Sequence, residues 1–383
     1  MSAPSRSLEE TLLWLCAAPS PIGEEKALCD AVAAHLAGLP GGRAPEAPIR
    51  RFGDSIVVPW VRGPDAPSGV DRAARSADAP SGKRMHVVLA GHLDTVRTEN
   101  GPARIEGDRC FGAGASDMKS GLAVMIALAE RVDRAQLDVD VSLVFYAREE
   151  GPFAENELGP VLAQDPELGS VDLAVCLEPS DNRLHLGCNG SIHATVTFEG
   201  KTGHSARPWE GESAVSLAAP FLLELAQRPP RAHLIDGLTY KTVTTVTQAK
   251  DGGRGRNVVP DRFVLNLNHR FAPDTSLEQA QKDVLALVAG RARVEFTDLS
   301  PAALPSASHP FVQALIARGV RGVEPKQAWT DVARFAARGI AAINFGPGEN
   351  AQAHQKNEST SLALLREGYA IFEAWLLSLR SAG

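Results

Sequence analysis

Two histidines and several carboxylates stand where metal chemistry would need them. His92-x-Asp94 follows an apolar run at 85–90, and Ser116-Asp117 precedes an apolar stretch at 119–132. Glu149-Glu150 follows a run at 139–147, and Glu178 follows one at 171–177. His354 lies beyond a run at 341–345 and the turn Phe345-Gly346-Pro347-Gly348. In an open α/β sheet, ligands bind beyond the carboxyl ends of the strands. Imidazole and carboxylate suit zinc, a carboxylate's two oxygens can bridge two ions, and no thiol is required. Two histidines and several acids converging from five loops are therefore the donor set for a pair of divalent cations. Singly, each has an ordinary explanation. A His-x-Asp pair most often serves hydrogen bonding, paired glutamates at a strand end are usually solvated, Glu178 before Pro179 suits a turn, and His354 sits in a polar loop. Their shared placement at strand ends carries the reading. Gly112-Ala113-Gly114 is a poor dinucleotide fingerprint, because no strand leads directly into a full G-x-G-x-x-G and an aspartate stands where phosphate would lie.

The elements that would position these residues alternate. Residues 8–18 and 24–36 have helical spacing of apolar side chains, punctuated by Pro19 and Pro21. Strand-like runs follow at 55–61, 85–90, 139–147 and 171–177, and the nearly continuous apolar ones read as strands covered on both faces. Between two of them, 119–132 reads as a buried helix capped by Ser116 or Asp117. The pattern predicts an α/β fold with a mostly parallel sheet. Residues 64–83, which repeat Asp-Ala-Pro-Ser-Gly, read as an exposed insertion between strands. After Gly187 the character changes. Ile192, Ala194, Val196 and Phe198 alternate with polar neighbours, and a helix at 213–227, strands at 241–249 and 262–271, a helix at 276–289 and a strand at 292–296 follow. That order, β-α-β-β-α-β, is ferredoxin-like. The α/β pattern then resumes with a helix at 329–338, a strand at 341–345 and a long C-terminal helix. A larger discontinuous domain over 1–187 and 299–383 is expected, with a smaller one over 188–298.

Composition narrows the function. The 383 residues carry 39 Lys plus Arg against 46 Asp plus Glu, a net charge of −7. This argues against nucleic acid, which needs a dense basic stripe, but leaves anionic small substrates open, since these respond to local charge. The near-apolar stretches 122–129 and 214–226 fall short of the roughly 18 residues that span a bilayer. The apolar run at 12–18 lies behind Glu9 and Glu10, whereas a signal peptide has basic residues there. Five scattered cysteines without a C-x-x-C pair read as reduced thiols of a cytoplasmic protein.

Seven segments, in order along almost the whole chain, resemble a known family. They are Gly91-His-Leu-Asp-Thr-Val96, Gly114-Ala-Ser-Asp-Met-Lys-Ser-Gly121, Arg148-Glu-Glu-Gly151, Leu177-Glu-Pro179, Gly203-His-Ser-Ala-Arg207, Asn257-Val-Val-Pro260 and Ala353-His354. The family is that of the dinuclear zinc amidohydrolases, which includes succinyl-diaminopimelate desuccinylases, acetylornithine deacetylases and glutamate carboxypeptidases. The resemblance implies a zinc-peptidase-like catalytic domain with an inserted ferredoxin-like dimerisation and lid domain. It implies two zinc ions per subunit, with cobalt or manganese accepted by the same groups. Asp117 would bridge them, His92 and Glu178 would complete one ion, and Glu150 and His354 the other. Asp94 would hold the His92 imidazole in one tautomer, and Glu149 would be the general base. On the residues alone His204 reads as a turn histidine. By resemblance it reaches from the lid into the partner subunit's site and donates to the oxyanion, which implies a homodimer through 188–298 and a closing lid. Arg270 falls in phase with Asn266 and Asn268 on a polar strand face. The family places Arg270 and Asn257 near substrate carboxylates, and Thr330 and Asn350 near the leaving amino acid. Arg207, three residues beyond His204, is a further candidate, because a planar guanidinium grips a carboxylate with two bonds.

Within the family, Ser205-Ala-Arg-Pro-Trp-Glu-Gly211, Phe271-Ala-Pro-Asp274, Trp329-Thr-Asp-Val-Ala-Arg-Phe335 and Ile343-Asn-Phe-Gly-Pro-Gly348 look most like the desuccinylase branch of actinobacteria. The expected substrate is then a small N-acyl amino acid, N-succinyl-L,L-diaminopimelate, with N-acetylornithine or a dipeptide as alternatives. A non-catalytic metal-binding relative is the competing class, and retention of an unligated Glu149 argues against it. Two departures stand out: Arg148 occupies a position where relatives usually carry an acid, and the 64–83 segment is extra.

Overall fold

Three short strands, His86–His92, Asp140–Tyr146 and Leu173–Cys176, are buried along their whole length, and Ala341–Asn344 is nearly so. Strands this apolar must be covered on both faces. In the computed structural model, which describes residues 6–40, 42–61, 84–253 and 255–380, they form the parallel centre of an eight-stranded sheet. Asp140–Tyr146 pairs with His86–His92, which pairs with Leu173–Cys176, which pairs with Ala341–Asn344. The flanks are antiparallel: Ser55–Val61 and Arg50–Phe52 close one side, and Leu184–Leu186 begins the other. The expected mostly parallel sheet is thus parallel at its centre and antiparallel towards its edges. The 64–83 insertion lies outside the described residues.

Register brings the chemistry to one edge. His92 stands opposite Tyr146, and both Ala90 and Asn344 stand opposite Cys176, so the four central strands run out together. Behind them, helix Lys119–Arg131 is buried from Lys119 to Glu130 and packs on the His86–His92 strand and on helices Leu8–Ala17 and Leu362–Ser378. Each fully buried leucine or isoleucine there contributes roughly 1.5–3 kcal/mol. The expected cap is not formed. The N-cap is Met118, which makes no side-chain bond, because Ser116 and Asp117 are engaged elsewhere. The Ser116 hydroxyl donates to the carbonyl of Glu349, and the Asp117 carboxylate faces His92. A small sheet of Arg104–Glu106, Arg109–Phe111 and Ser359–Ser361 lays the last of these strands beside the 112–117 turn.

The chain divides into two compact units. One comprises Met1–Leu186, Ser306–Glu324 and Arg334–Gly383; the other comprises Gly187–Pro305 and Pro325–Ala333. The second extends past the boundary expected at 298 and takes in 325–333, which sequence patterning assigned to the larger domain. Side chains and backbone explain the transfer. The Asn189 N–H donates to the Lys326 carbonyl at 3.2 Å, the Cys188 thiol to that of Thr330 at 3.7 Å, and the Trp329 indole to that of Pro301 at 3.0 Å. With Trp329 pinned this way, the helix expected at 329–338 shortens to Val332–Ala336.

The second unit follows the ferredoxin-like order with one added strand. Its antiparallel sheet runs Arg231–Ile235, Leu238–Asp251, Arg262–Phe271, Gly190–Glu199, Arg293–Ser300. Helices Ala214–Gln227 and Leu277–Val288, capped by Ser213 and Ser276, bury Ala218, Phe221, Val284 and Val288 against Ile192, Val196, Leu265 and Leu267. All five cysteines are buried and free, and among the described residues no helix is long and apolar enough to cross a membrane.

Candidate metal centre

The His86–His92 strand ends on a candidate ligand. The His92 side chain is fully buried, with its ring edge-on to Tyr146 at 6.3 Å between centroids. Its Nδ1 lies 3.0 Å from the carbonyl oxygen of Asp94 and 3.5 Å from that residue's Oδ1, while Nε2 lies 3.3 Å from Asp117 Oδ1. Burial opposes a charge on this ring. The hydrogen bonds to Asp117 and Asp94 outweigh it and hold the His92 pKa well above the ordinary value. At the opposite side, His354 Nε2 lies 2.9 Å from Glu150 Oε2 and 3.6 Å from Asp117 Oδ2. Its hydrogen bond with Glu150 pushes its pKa up to about 9 against the effect of burial. Each imidazole thus faces carboxylate oxygens, where a bound divalent cation would compete with a proton.

Among the described residues, three groups of donors fall within metal-binding reach, with ligand atoms all within 4.8 Å of one another. His92, Asp117 and Glu178 form one, Asp117, Glu150 and His354 a second, and His92, Glu149 and Glu150 a third. Asp117 belongs to the first two. The donor set fits zinc or a similar borderline ion: imidazole and carboxylate only, with one shared carboxylate. The cluster is closed on the His92 side and open on the other, where the His354 side chain is 55% exposed. A centre that turns over substrate needs such an open side.

The supports of this cluster are hydrogen bonds and close backbone contacts. The Asp94 carboxylate accepts the N–H of Glu149 on Oδ1 at 3.1 Å and that of Glu150 on Oδ2 at 2.8 Å. The expected hold of Asp94 on the His92 tautomer is thus shared with its own carbonyl, and its carboxylate chiefly fixes the Glu149-Glu150 backbone. Three glycines permit the loops to touch. A Cβ on Gly121 would lie 2.5 Å from the Leu177 carbonyl oxygen, one on Gly346 2.5 Å from that of Glu178, and one on Gly348 2.1 Å from that of Ser116. Arg148 and His354 take left-handed backbone with φ of 63° and 61°. Non-glycine residues rarely adopt it, and such strain concentrates at functional sites.

The remaining expected residues fall into two sets. Asn350 lies in the first unit, where its N–H donates to Asp181 Oδ2. His204, Arg207, Asn257, Arg270 and Thr330 all lie in the second. There, Gly203–His204 pairs with Val258–Val259, and the Ser205 N–H donates to the Asn257 carbonyl, which brings His204, Arg207 and Asn257 into one ribbon. The exposed Arg207 pairs with Glu210 at 3.2 Å, and the His204 Nδ1 accepts the N–H of Ala206. Arg270 Nε donates to Asn268 Oδ1, and burial lowers the Arg270 pKa. Thr330 is buried.

One residue at the centre was not foreseen. Glu358, 2% exposed, accepts backbone N–H groups from Gly114, Ser116 and Asp117 at 2.8–2.9 Å. Burial raises its pKa to about 7 against those bonds. In sequence it is a glutamate in the polar run Gln355-Lys-Asn-Glu358, where nothing separates an anchor from a solvated acid.

Comparison with known proteins gives this geometry a context. Residues 88–378 match the model of peptidase family M20/M25/M40. A succinyl-diaminopimelate desuccinylase of Corynebacterium glutamicum is 33% identical over 365 residues, covering 94% of this chain and 93% of that one. A Mycobacterium tuberculosis relative named for the same activity is 40% identical over 278 residues, covering 72% and 78%. The crystal structure of an M20-family metallo-carboxypeptidase from Sulfolobus solfataricus superimposes with a TM-score of 0.73 over 97% of this chain and 99% of that one, at 16% identity. On this match and these relatives, the chain belongs to peptidase family M20/M25/M40.

Proposed function

We propose that this protein is a metal-dependent amidohydrolase that converts N-succinyl-L,L-diaminopimelate to succinate and L,L-diaminopimelate, a step of lysine and cell-wall precursor synthesis. The observation that carries the reading is Asp117, shared by two three-residue ligand groups at the mouth of the sheet, in a chain whose relatives bear the desuccinylase name. His92 and Glu178 would hold one zinc ion with Asp117, and Glu150 and His354 a second. When bound, the ions would supply Lewis-acid polarisation of the scissile amide and of the attacking water. Glu149, its backbone fixed by Asp94, accepts the proton of that water and returns it to the leaving amine. The acyl carboxylate of the substrate calls for a guanidinium, and Arg270 with Asn257 is assigned to it, Arg207 being a second cation in the same unit. Thr330 and Asn350 are assigned to the amino-acid side.

The second unit, placed by sequence at 188–298, serves in this reading as lid and dimerisation domain. His204 would donate to the oxyanion across a homodimer. Five buried free thiols suit the reducing cytoplasm. The test is a hydrolysis assay on zinc-loaded protein with N-succinyl-L,L-diaminopimelate, N-acetylornithine and a dipeptide in parallel. Preference for the succinyl substrate, abolished by a chelator, is expected. Activity on another amide alone would reassign the substrate, and silence on all three with zinc bound would overturn the enzyme reading. For the dimer, mixing inactive His204→Ala and Glu149→Ala chains should restore activity, and no recovery after subunit exchange would refute donation across it.

A further inference from the structure

We propose that Glu358 is a positioning residue of the metal centre, which sets the place of the Asp117 carboxylate by gripping its turn from behind. The inference rests on the proposed function, since it requires the centre to bind metal. A buried carboxylate is costly unless donors surround it. Here Oε1 accepts the N–H of both Ser116 and Asp117 at 2.8 Å, and Oε2 accepts that of Gly114 at 2.9 Å. The main-chain carbonyl of Glu358 holds the same turn, and its N–H is anchored beside it. Its N–H donates to Asn100 Oδ1 at 2.7 Å, and its carbonyl accepts the N–H of Gly112 at 3.0 Å. The 112–117 turn is thus held at both ends by one residue.

Placement gives the grip its meaning. The bond to the Asp117 N–H acts on the residue shared by both ligand groups, so a shift of the turn would move a donor of each. Glu358 also lies four residues beyond His354, whose Nε2 is 3.6 Å from Asp117 Oδ2. One short segment therefore carries a ligand at one end and the anchor of another ligand at the other. A glutamine could not fully replace the acid. With its amide oxygen towards Ser116 and Asp117, its NH2 would confront the N–H of Gly114, two donors face to face.

The test uses full-length protein and zinc. Wild type, Glu358→Gln and Glu358→Ala are compared for zinc stoichiometry, for affinity by chelator competition, for kcat and KM, and for the visible spectrum of the cobalt-loaded protein. Loss of an outer partner typically weakens metal binding 10–100-fold. Glu358→Ala should fall in that range for both ions, with kcat reduced, KM changed by less than about threefold, and the cobalt bands altered. Glu358→Gln should lie between it and wild type. Asp165→Ala removes a buried carboxylate that holds Arg50 and the Glu167 N–H; it should lower stability and leave the cobalt spectrum unchanged. If Glu358→Ala does not fold, Glu358→Gln carries the comparison. Wild-type affinity, kcat and cobalt spectrum in the glutamine variant would overturn the inference alone. A wild-type protein that takes up no zinc would overturn both it and the proposed function.

Discussion

Asp94→Asn perturbs the metal centre without replacing a proposed ligand. Asp94 is fully buried, and its two oxygens serve different donors: Oδ1 takes the Glu149 N–H and faces His92 Nδ1, and Oδ2 takes the Glu150 N–H. Asparagine keeps the shape but has one acceptor. In either rotamer one backbone N–H loses its partner and meets an amide donor instead. A hydrogen bond to a charged group is worth about 1.5–3 kcal/mol, and a buried donor left unpaired costs about 1–3. Metal-free Asp94→Asn should therefore be less stable by about 2–3 kcal/mol, and Asp94→Ala, which loses both acceptors, by more. Because the displaced backbone carries Glu150, metal affinity should fall about 10–100-fold. Urea unfolding of the stripped protein measures the first quantity and chelator competition the second. An unchanged unfolding midpoint together with wild-type affinity would show that Asp94 does not support the Glu149-Glu150 backbone.

Three other outcomes follow from the same geometry. Glu149→Ala should retain about two metal ions per chain while turnover falls at least 100-fold, the usual weight of a general base; loss of an ion, measured by elemental analysis, would instead make Glu149 a ligand, as its place beside His92 and Glu150 allows. Gly348→Ala puts a methyl 2.1 Å from the Ser116 carbonyl oxygen, so unfolding should show a loss of about 1–3 kcal/mol and metal titration a weaker centre. In the second unit, burial lowers the His269 pKa to about 4, with Arg228 and Arg231 adding to the effect and Asp283 opposing it. The unfolded chain takes up this proton below about pH 6.5 and the folded one refuses it until about 4, so stability falls with pH across that window, by about 1.4 kcal/mol per unit at most. His269→Gln should flatten that slope in urea titrations at pH 7, 6 and 5, and an unchanged slope would refute the assignment.

The ligand candidates were legible because polar residues end otherwise apolar strands, and the sheet register then leaves them little choice but to converge. Helix ends were legible where a serine caps them, as at Ser213 and Ser276. The cap before Lys119 was not, because the Ser116 hydroxyl donates to the carbonyl of Glu349, 233 residues later, and the Asp117 carboxylate faces His92 on another strand end. Glu358 was hidden for the same reason: its three donors lie some 240 residues away, and local composition describes only its immediate neighbours. Residues 325–333 were misassigned because their partners, Cys188, Asn189 and Pro301, are reached through tertiary hydrogen bonds that no periodicity reports.

The two ligand groups that share Asp117 differ in when the chain supplies them. His92, Asp117 and Glu178 all precede the second unit, whereas His354 and its neighbour Glu358 come after all of it. During vectorial synthesis, domains fold as they emerge, N-terminal parts first. The first ligand group is complete in sequence while the second lacks its histidine. Strand Ala341–Asn344 and helix Leu362–Ser378, which covers Lys119–Arg131, are still to come as well. The two ligand groups that share Asp117, and the Glu358 anchor of its turn, are therefore complete together only once residues 354–358 have followed the second unit.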